Sequence, residues 1–76
     1  MSYVIATNIS GITHCIKPDQ DAGKFVLIPI NSTSDVARAF NAPQQTIALQ
    51  ILHWLKENDS ILSSHDFEVS SASKFG

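Results

Sequence analysis

Seventy-six residues with one cysteine, 16% charged side chains and a formal net charge of −2 leave room for a single small core, because surface-to-volume scaling forbids a second at this length. A hydrophobic fraction of 43% suffices for that core without disulfides or a metal, and a lone cysteine cannot close an intrachain bridge. No apolar run approaches the ~18 residues of a membrane helix, and five cations against seven carboxylates make neither a phosphate-gripping polycation nor a dense acidic field.

In chain order, Tyr3 to Ile9 alternates Tyr3, Ile5, Thr7 and Ile9 with Val4, Ala6 and Asn8, the period-two pattern of a strand rich in β-branched residues. Val4 and Ala6 make its second face partly apolar, so both faces can be covered. Ser10-Gly11 suits a tight turn, since glycine accepts positive φ without penalty. A second run, Ile12 to Lys17, sets Ile12, His14 and Ile16 against Thr13, Cys15 and Lys17, and the two runs read as a β-hairpin. Pro18 to Gly23 is a loop by composition. Lys24 to Ile30 is almost continuously apolar and reads as a buried strand, with Pro29, which lacks a donor, at its end or on an edge.

Asn31 to Ser34 is a polar break, and Ser34 is placed to cap a helical turn over 35–40 in which Val36, Ala39 and Phe40 form an apolar stripe. Asn41-Ala42-Pro43-Gln44 predicts a helix start, with Asn41 as N-cap, Pro43 in the first turn and Gln44 completing a capping box. The main helix is expected over about 42–58. Ile47, Ala48, Ile51, Leu52 and Leu55 form its coherent apolar face, while Gln44, Gln45, Gln50, Lys56 and Glu57 fall mostly elsewhere. Asn58 is expected to end it in a left-handed conformation. Ile61 and Leu62 tuck beneath the helix end, and Phe67 to Ser71 reads as a last strand with Phe67 and Val69 inward and Glu68 and Ser70 outward. The sum is an α+β fold in the order β-β-β-α-β. It comprises a four-stranded, mostly antiparallel sheet, a short extra helical turn before the main helix, and that helix packed on one face. One compact domain is expected over 1–72, with 73–76 as a flexible tail.

The chemistry-bearing residues do not form a catalytic set. His14 and Cys15 are neighbours in a strand, so they face opposite sides of the sheet; only His53 or His65 could meet Cys15, which reads as a small packing residue. The three histidines and one cysteine lack metal-ligand spacing, so no metal or cofactor is expected. Asp19 and Asp21 resemble the start of a calcium loop, but the glycine and bidentate glutamate that such a loop needs are missing, leaving a solvated acidic turn. Lys17, Lys24, Arg38, Lys56 and Lys74 are spread evenly, which argues against a nucleic-acid grip. Tyr3, Phe25, Phe40 and Phe67 read as core rather than as base-stacking residues. Trp54 lies off the centre of the apolar helix face, where it either completes the core or anchors a contact at the rim.

Ala37-Arg38-Ala39-Phe40, the helix from Asn41 to Leu55 ending in Ile51-Leu52-His53-Trp54-Leu55, and the closing Phe67-Glu68-Val69 form a layout that resembles small accessory proteins of bacteriophages and mobile elements, anti-CRISPR proteins among them. The resemblance is one of size and architecture. It implies a non-enzymatic, phage-encoded inhibitor that occludes a functional surface of a bacterial CRISPR-Cas complex, acting in the host cytoplasm as a monomer or homodimer. A compact module with no catalytic set acts through its surface, and the contact residues expected are Asp19 and Asp21 in the acidic loop, Gln50, Trp54 and Glu57 on the helix rim, and Asp59 beyond it, together with an exposed strand edge. Asp19, Asp21, Glu57 and Asp59 would be the counter-charges to a basic partner surface. Two other readings stand beside this one: a small nucleic-acid-binding or regulatory protein using its sheet face with Lys17 and Lys24, and a self-assembling structural subunit joined through a strand edge or sheet face.

Overall fold

The computed structural model describes residues 2–59 and 62–75. Strands β1 (Tyr3–Ile9), β2 (Ile12–Asp19) and β3 (Lys24–Pro29) precede a short helix α1 (Thr33–Arg38), the main helix α2 (Gln45–Asn58) and strand β4 (Glu68–Ser71), with single 3-10 turns at Leu62–Ser64 and Ala72–Lys74. The four strands form one sheet in the order β3-β2-β1-β4, and every neighbouring pair is antiparallel. The α+β class is therefore the one the sequence patterns predict.

Local chemistry fixes both hairpins. Ser10 and Gly11 take φ of 53° and 83°, the pair of positive values that a two-residue turn needs to match the twist of its strands. The Asn8 side chain accepts the Gly11 N–H at 2.9 Å. In the β2–β3 hairpin, Asp19 faces Lys24, its carboxylate accepts the N–H groups of Asp21 and Ala22 at 3.0 and 3.3 Å, and Gly23 supplies a φ of 67°. β2 runs two residues past the expected Lys17, through Pro18. A proline is tolerated in this central strand because β1 has already left it.

That divergence organises the molecule. β1 pairs with β2 only from Ala6–Cys15 to Ile9–Ile12; its first half pairs with β4. The opening between β1 and β2 is filled by the chain joining the two helices. Phe40 N–H donates to the Ile16 carbonyl at 2.8 Å, and Tyr3 and Ala42 exchange two backbone hydrogen bonds of 2.8 Å. Asn41 satisfies the remaining polar groups there: its amide donates to the carbonyls of Val36 and Ala39, and its oxygen accepts the Ser2 hydroxyl. Because Ile16 points its carbonyl into this opening, strand alternation aims the Pro18 nitrogen the same way, where no ladder bond is lost.

The fork lets the chain cross from one sheet face to the other, so both faces are covered. On the first face Ile5, Ile16, Leu62 and Phe67 pack with Ala42 and with Ala48, Leu52 and Leu55 of α2. On the second, Val4, Ala6 and Cys15 pack with Val36 of α1 and with Ala39, its C-cap, and Phe75 lies against the same cluster.

Several local expectations are corrected. Helix α2 begins at Gln45, not near Ala42, and Asn41 is not its N-cap; Ala42 precedes a proline, which disfavours helical geometry, and is held extended by its bridge to Tyr3. The residue at the N-cap is Gln44, extended at φ −136° and ψ 148°, and its side chain makes no capping bond. Ser34 lies inside α1, whose N-cap is Ser32; Ser34 meets the Ser32 hydroxyl at 2.8 Å instead. Asn58 stays helical and donates to the Trp54 carbonyl at 2.9 Å, leaving Asp59 as C-cap in an extended conformation. Ser70, expected outward, is buried on the second face, beside the C-terminal turn. Leu62 is buried as expected, whereas Ile61 lies outside the described residues. The 3-10 turn Ala72–Lys74, with Phe75 as its C-cap, lies across the boundary expected between domain and tail.

Candidate functional site

Helix α2 turns Ala48, Leu52 and Leu55 into the core and thereby presents the opposite side outward. That side carries Gln50, Trp54 and Glu57, three of the expected contact residues, at spacings of four and three that place them next to one another. Trp54 is 52% exposed, which resolves its reading: it is a surface residue and not part of the core. Leu49, at 48% exposure, and His53 extend this surface; neither is among the contact residues expected from sequence. His53 Nε2 lies 3.1 Å from Glu57 Oε1, one turn along the exposed side of the helix.

The acidic residues divide between two places. Asp59 sits just past α2, where one carboxylate oxygen accepts the Leu62 N–H at 2.9 Å and starts the following 3-10 turn. Asp19 and Asp21 belong to the β2–β3 hairpin, whereas α2 packs over β1 and β4. The sheet thus does not bring the loop acids to the helix surface. Asp19 also has a structural task, since its carboxylate holds the loop backbone.

The groups considered for catalysis are separated. Cys15 is fully buried on the second face, and burial pushes its thiol up to about 11. His53 stands on the outer side of α2, over the other face, and His65 meets Phe67 edge to face at 6.1 Å, also on the first face. No group of three or more His, Cys, Asp or Glu gathers to hold a metal among the described residues. Tyr3, Phe25, Phe40 and Phe67 all pack with the first-face core, Phe25 and Phe40 in edge-to-face contact at 6.0 Å, so these rings are committed to packing and not to a stacking platform. No helix among the described residues is long and apolar enough to cross a membrane.

An open groove of about 540 Å³ is lined by Ala6, Asn8 and Thr13 together with Glu68, Lys74 and Phe75. Lys74 lies 3.8 Å from Glu68 and 5.8 Å from the Phe75 ring centre, so its charge is answered within the wall. Neither protein-family models nor curated proteins nor solved structures gave a match to this chain.

Proposed function

We propose that this chain is a non-enzymatic protein-binding module that docks through the outer side of α2 and blocks a functional surface of its partner. The observation that carries this reading is the exposed indole of Trp54 on a rigid helix, set between Gln50 and Glu57 and opposite a side anchored by Ala48, Leu52 and Leu55. Covering a further ~100 Å² of such a ring stabilises a complex by about 2–3 kcal/mol at ~25 cal/mol per Å². Tryptophan, with only two side-chain torsions to fix, loses little entropy on docking, which is why it recurs as an interface anchor. Glu57 beside it favours a basic partner surface. The layout resemblance to anti-CRISPR proteins supplies the partner class to try first, a CRISPR-Cas complex, whose nucleic-acid channels are basic.

The test compares wild type, Trp54→Ala and the distant control Lys24→Ala as binders and inhibitors of reconstituted CRISPR-Cas complexes. The expected result is inhibition of target cleavage by wild type and Lys24→Ala, with binding about 10- to 100-fold weaker for Trp54→Ala, the range of an interface anchor. Wild type that neither binds nor inhibits any complex removes that partner class. Binding that survives Trp54→Ala unchanged removes the α2 surface.

A further inference from the structure

We propose that the chain forms a symmetric dimer by antiparallel pairing of β3 with β3 of a second copy, giving one continuous eight-stranded sheet. The two edges of the sheet, β3 and β4, are built differently. β4 is four residues long, begins at an exposed glutamate and carries two serines. β3 has four consecutive apolar residues, Phe25-Val26-Leu27-Ile28, all only half-buried. A long apolar edge without an internal charge or bulge is the kind that recruits another strand.

The backbone shows which groups are offered. Ile30 N–H donates to the Thr13 carbonyl, so alternation turns Ile28 and Val26 towards β2 and turns Phe25, Leu27 and Pro29 outward. Phe25 and Leu27 then hold outward donors and acceptors, with no strand beyond them among the described residues, and Pro29 holds an acceptor only. The occupant best matched to this set is the same edge of a second copy. With Val26 on the two-fold axis, Phe25 faces Leu27 of the other copy twice over, and each pair exchanges both of its hydrogen bonds. Val26 then meets its own counterpart in a non-hydrogen-bonded pair, where side chains approach most closely. Lys24 faces Ile28, so no like charges meet.

The neighbouring registers fail on the same strand. Moving the axis to Leu27 sets Phe25 against Pro29, whose missing N–H leaves a Phe25 carbonyl without a donor. Moving it to Phe25 sets Leu27 against Gly23, whose φ of 67° is not extended. With Val26 on the axis Pro29 and Gly23 face each other, so both defects fall in one pair at each end and leave the Phe25–Leu27 bonds whole. The two α2 surfaces stay free in the dimer, so this inference is independent of the binding mode proposed above.

Sedimentation velocity from about 10 µM to about 1 mM tests it, since small interfaces associate weakly. Wild type is expected to shift from monomer to dimer with concentration. Val26→Lys and Val26→Glu, each half-buried on an edge and each checked for native far-UV circular dichroism, are expected to stay monomeric. An equimolar mixture of the two is expected to regain the dimer, because opposite charges then meet across the axis. Trp54→Ala is expected to associate like wild type. Wild type that stays monomeric at 1 mM, Val26→Lys that dimerises like wild type, a mixture that stays monomeric, or association lost in Trp54→Ala each overturns the pairing.

Discussion

Cys15 has no exposed surface and sits among Val4, Ala6, Val36 and Ala39, an apolar setting in which a thiolate is poorly solvated. Burial therefore raises its thiol from 9.0 to about 11. The unfolded chain loses this proton near the lower value and the folded chain near the upper, so in between the unfolded state binds fewer protons and stability falls as pH rises. The contribution is whole below about pH 9 and is lost by about pH 11, and two pKa units correspond to about 2–3 kcal/mol. Urea denaturation across this range is expected to show the loss in wild type and its absence in Cys15→Ala, once the slope common to both proteins is subtracted. Equal slopes would show that the thiol is solvated. At this scale the sequence is informative where alternation decides a face, as for Cys15 against His14, and silent where a side chain has two uses. Asp19 reads as a surface charge, yet its carboxylate is spent on the loop N–H groups of Asp21 and Ala22, a use that appears only once the loop is folded.

Among the elements, helix α2 illustrates what periodicity does and does not contain. Its buried stripe was legible because Ala48, Leu52 and Leu55 recur at helical spacing. Its start was not, because the apparent N-cap signal at Asn41 is used by the fork: the same amide that suits a cap instead binds the carbonyls of Val36 and Ala39. Local propensity lost to a long-range bridge between Tyr3 and Ala42, although the proline at 43 carried a hint in its bias against a helical Ala42. The helix consequently begins at an extended Gln44 whose side chain caps nothing. Gln44→Ser keeps that backbone and supplies a short oxygen acceptor for the orphan N–H groups of the first turn. It is expected to stabilise the fold by about 0.5–1 kcal/mol, the usual worth of such a cap, read as a higher urea midpoint at unchanged slope. A midpoint at or below that of wild type would mean that the first turn is already satisfied.

For the whole molecule, the decisive feature is that a chain of 76 residues covers both faces of its sheet. A main helix can cover only one, and small domains have little core to spare. The second face is closed instead by two slight elements, α1 through Val36 and its C-cap Ala39, and the C-terminal turn through Phe75, with the fork between β1 and β2 letting the chain reach both sides. The apolar Val4 and Ala6 announced a need for cover, but nothing in the serine-rich end of the sequence identified Phe75 as part of it, since an isolated aromatic near a terminus has no period. This placement makes a prediction that a frayed end would not. Phe75 is half-buried against the second-face cluster, and Lys74 beside it reaches Glu68 of β4. Phe75→Ala removes the ring from the second face and is expected to cost about 1–3 kcal/mol, less than the ~3–5 kcal/mol of a fully buried phenylalanine because part of the ring is already in water. The loss is to be read from urea denaturation, with the far-UV spectrum retained, since α2 and the four-stranded ladder do not depend on the ring. Lys74→Ala, which removes an exposed ion pair with Glu68 and an exposed cation over the Phe75 ring, is expected to cost under ~1 kcal/mol. If both substitutions leave the midpoint unchanged, the second face is closed by α1 alone. If Phe75→Ala alone lowers it, the C-terminal turn is a working part of the second layer, and truncations that end before Phe75 should lose the same amount.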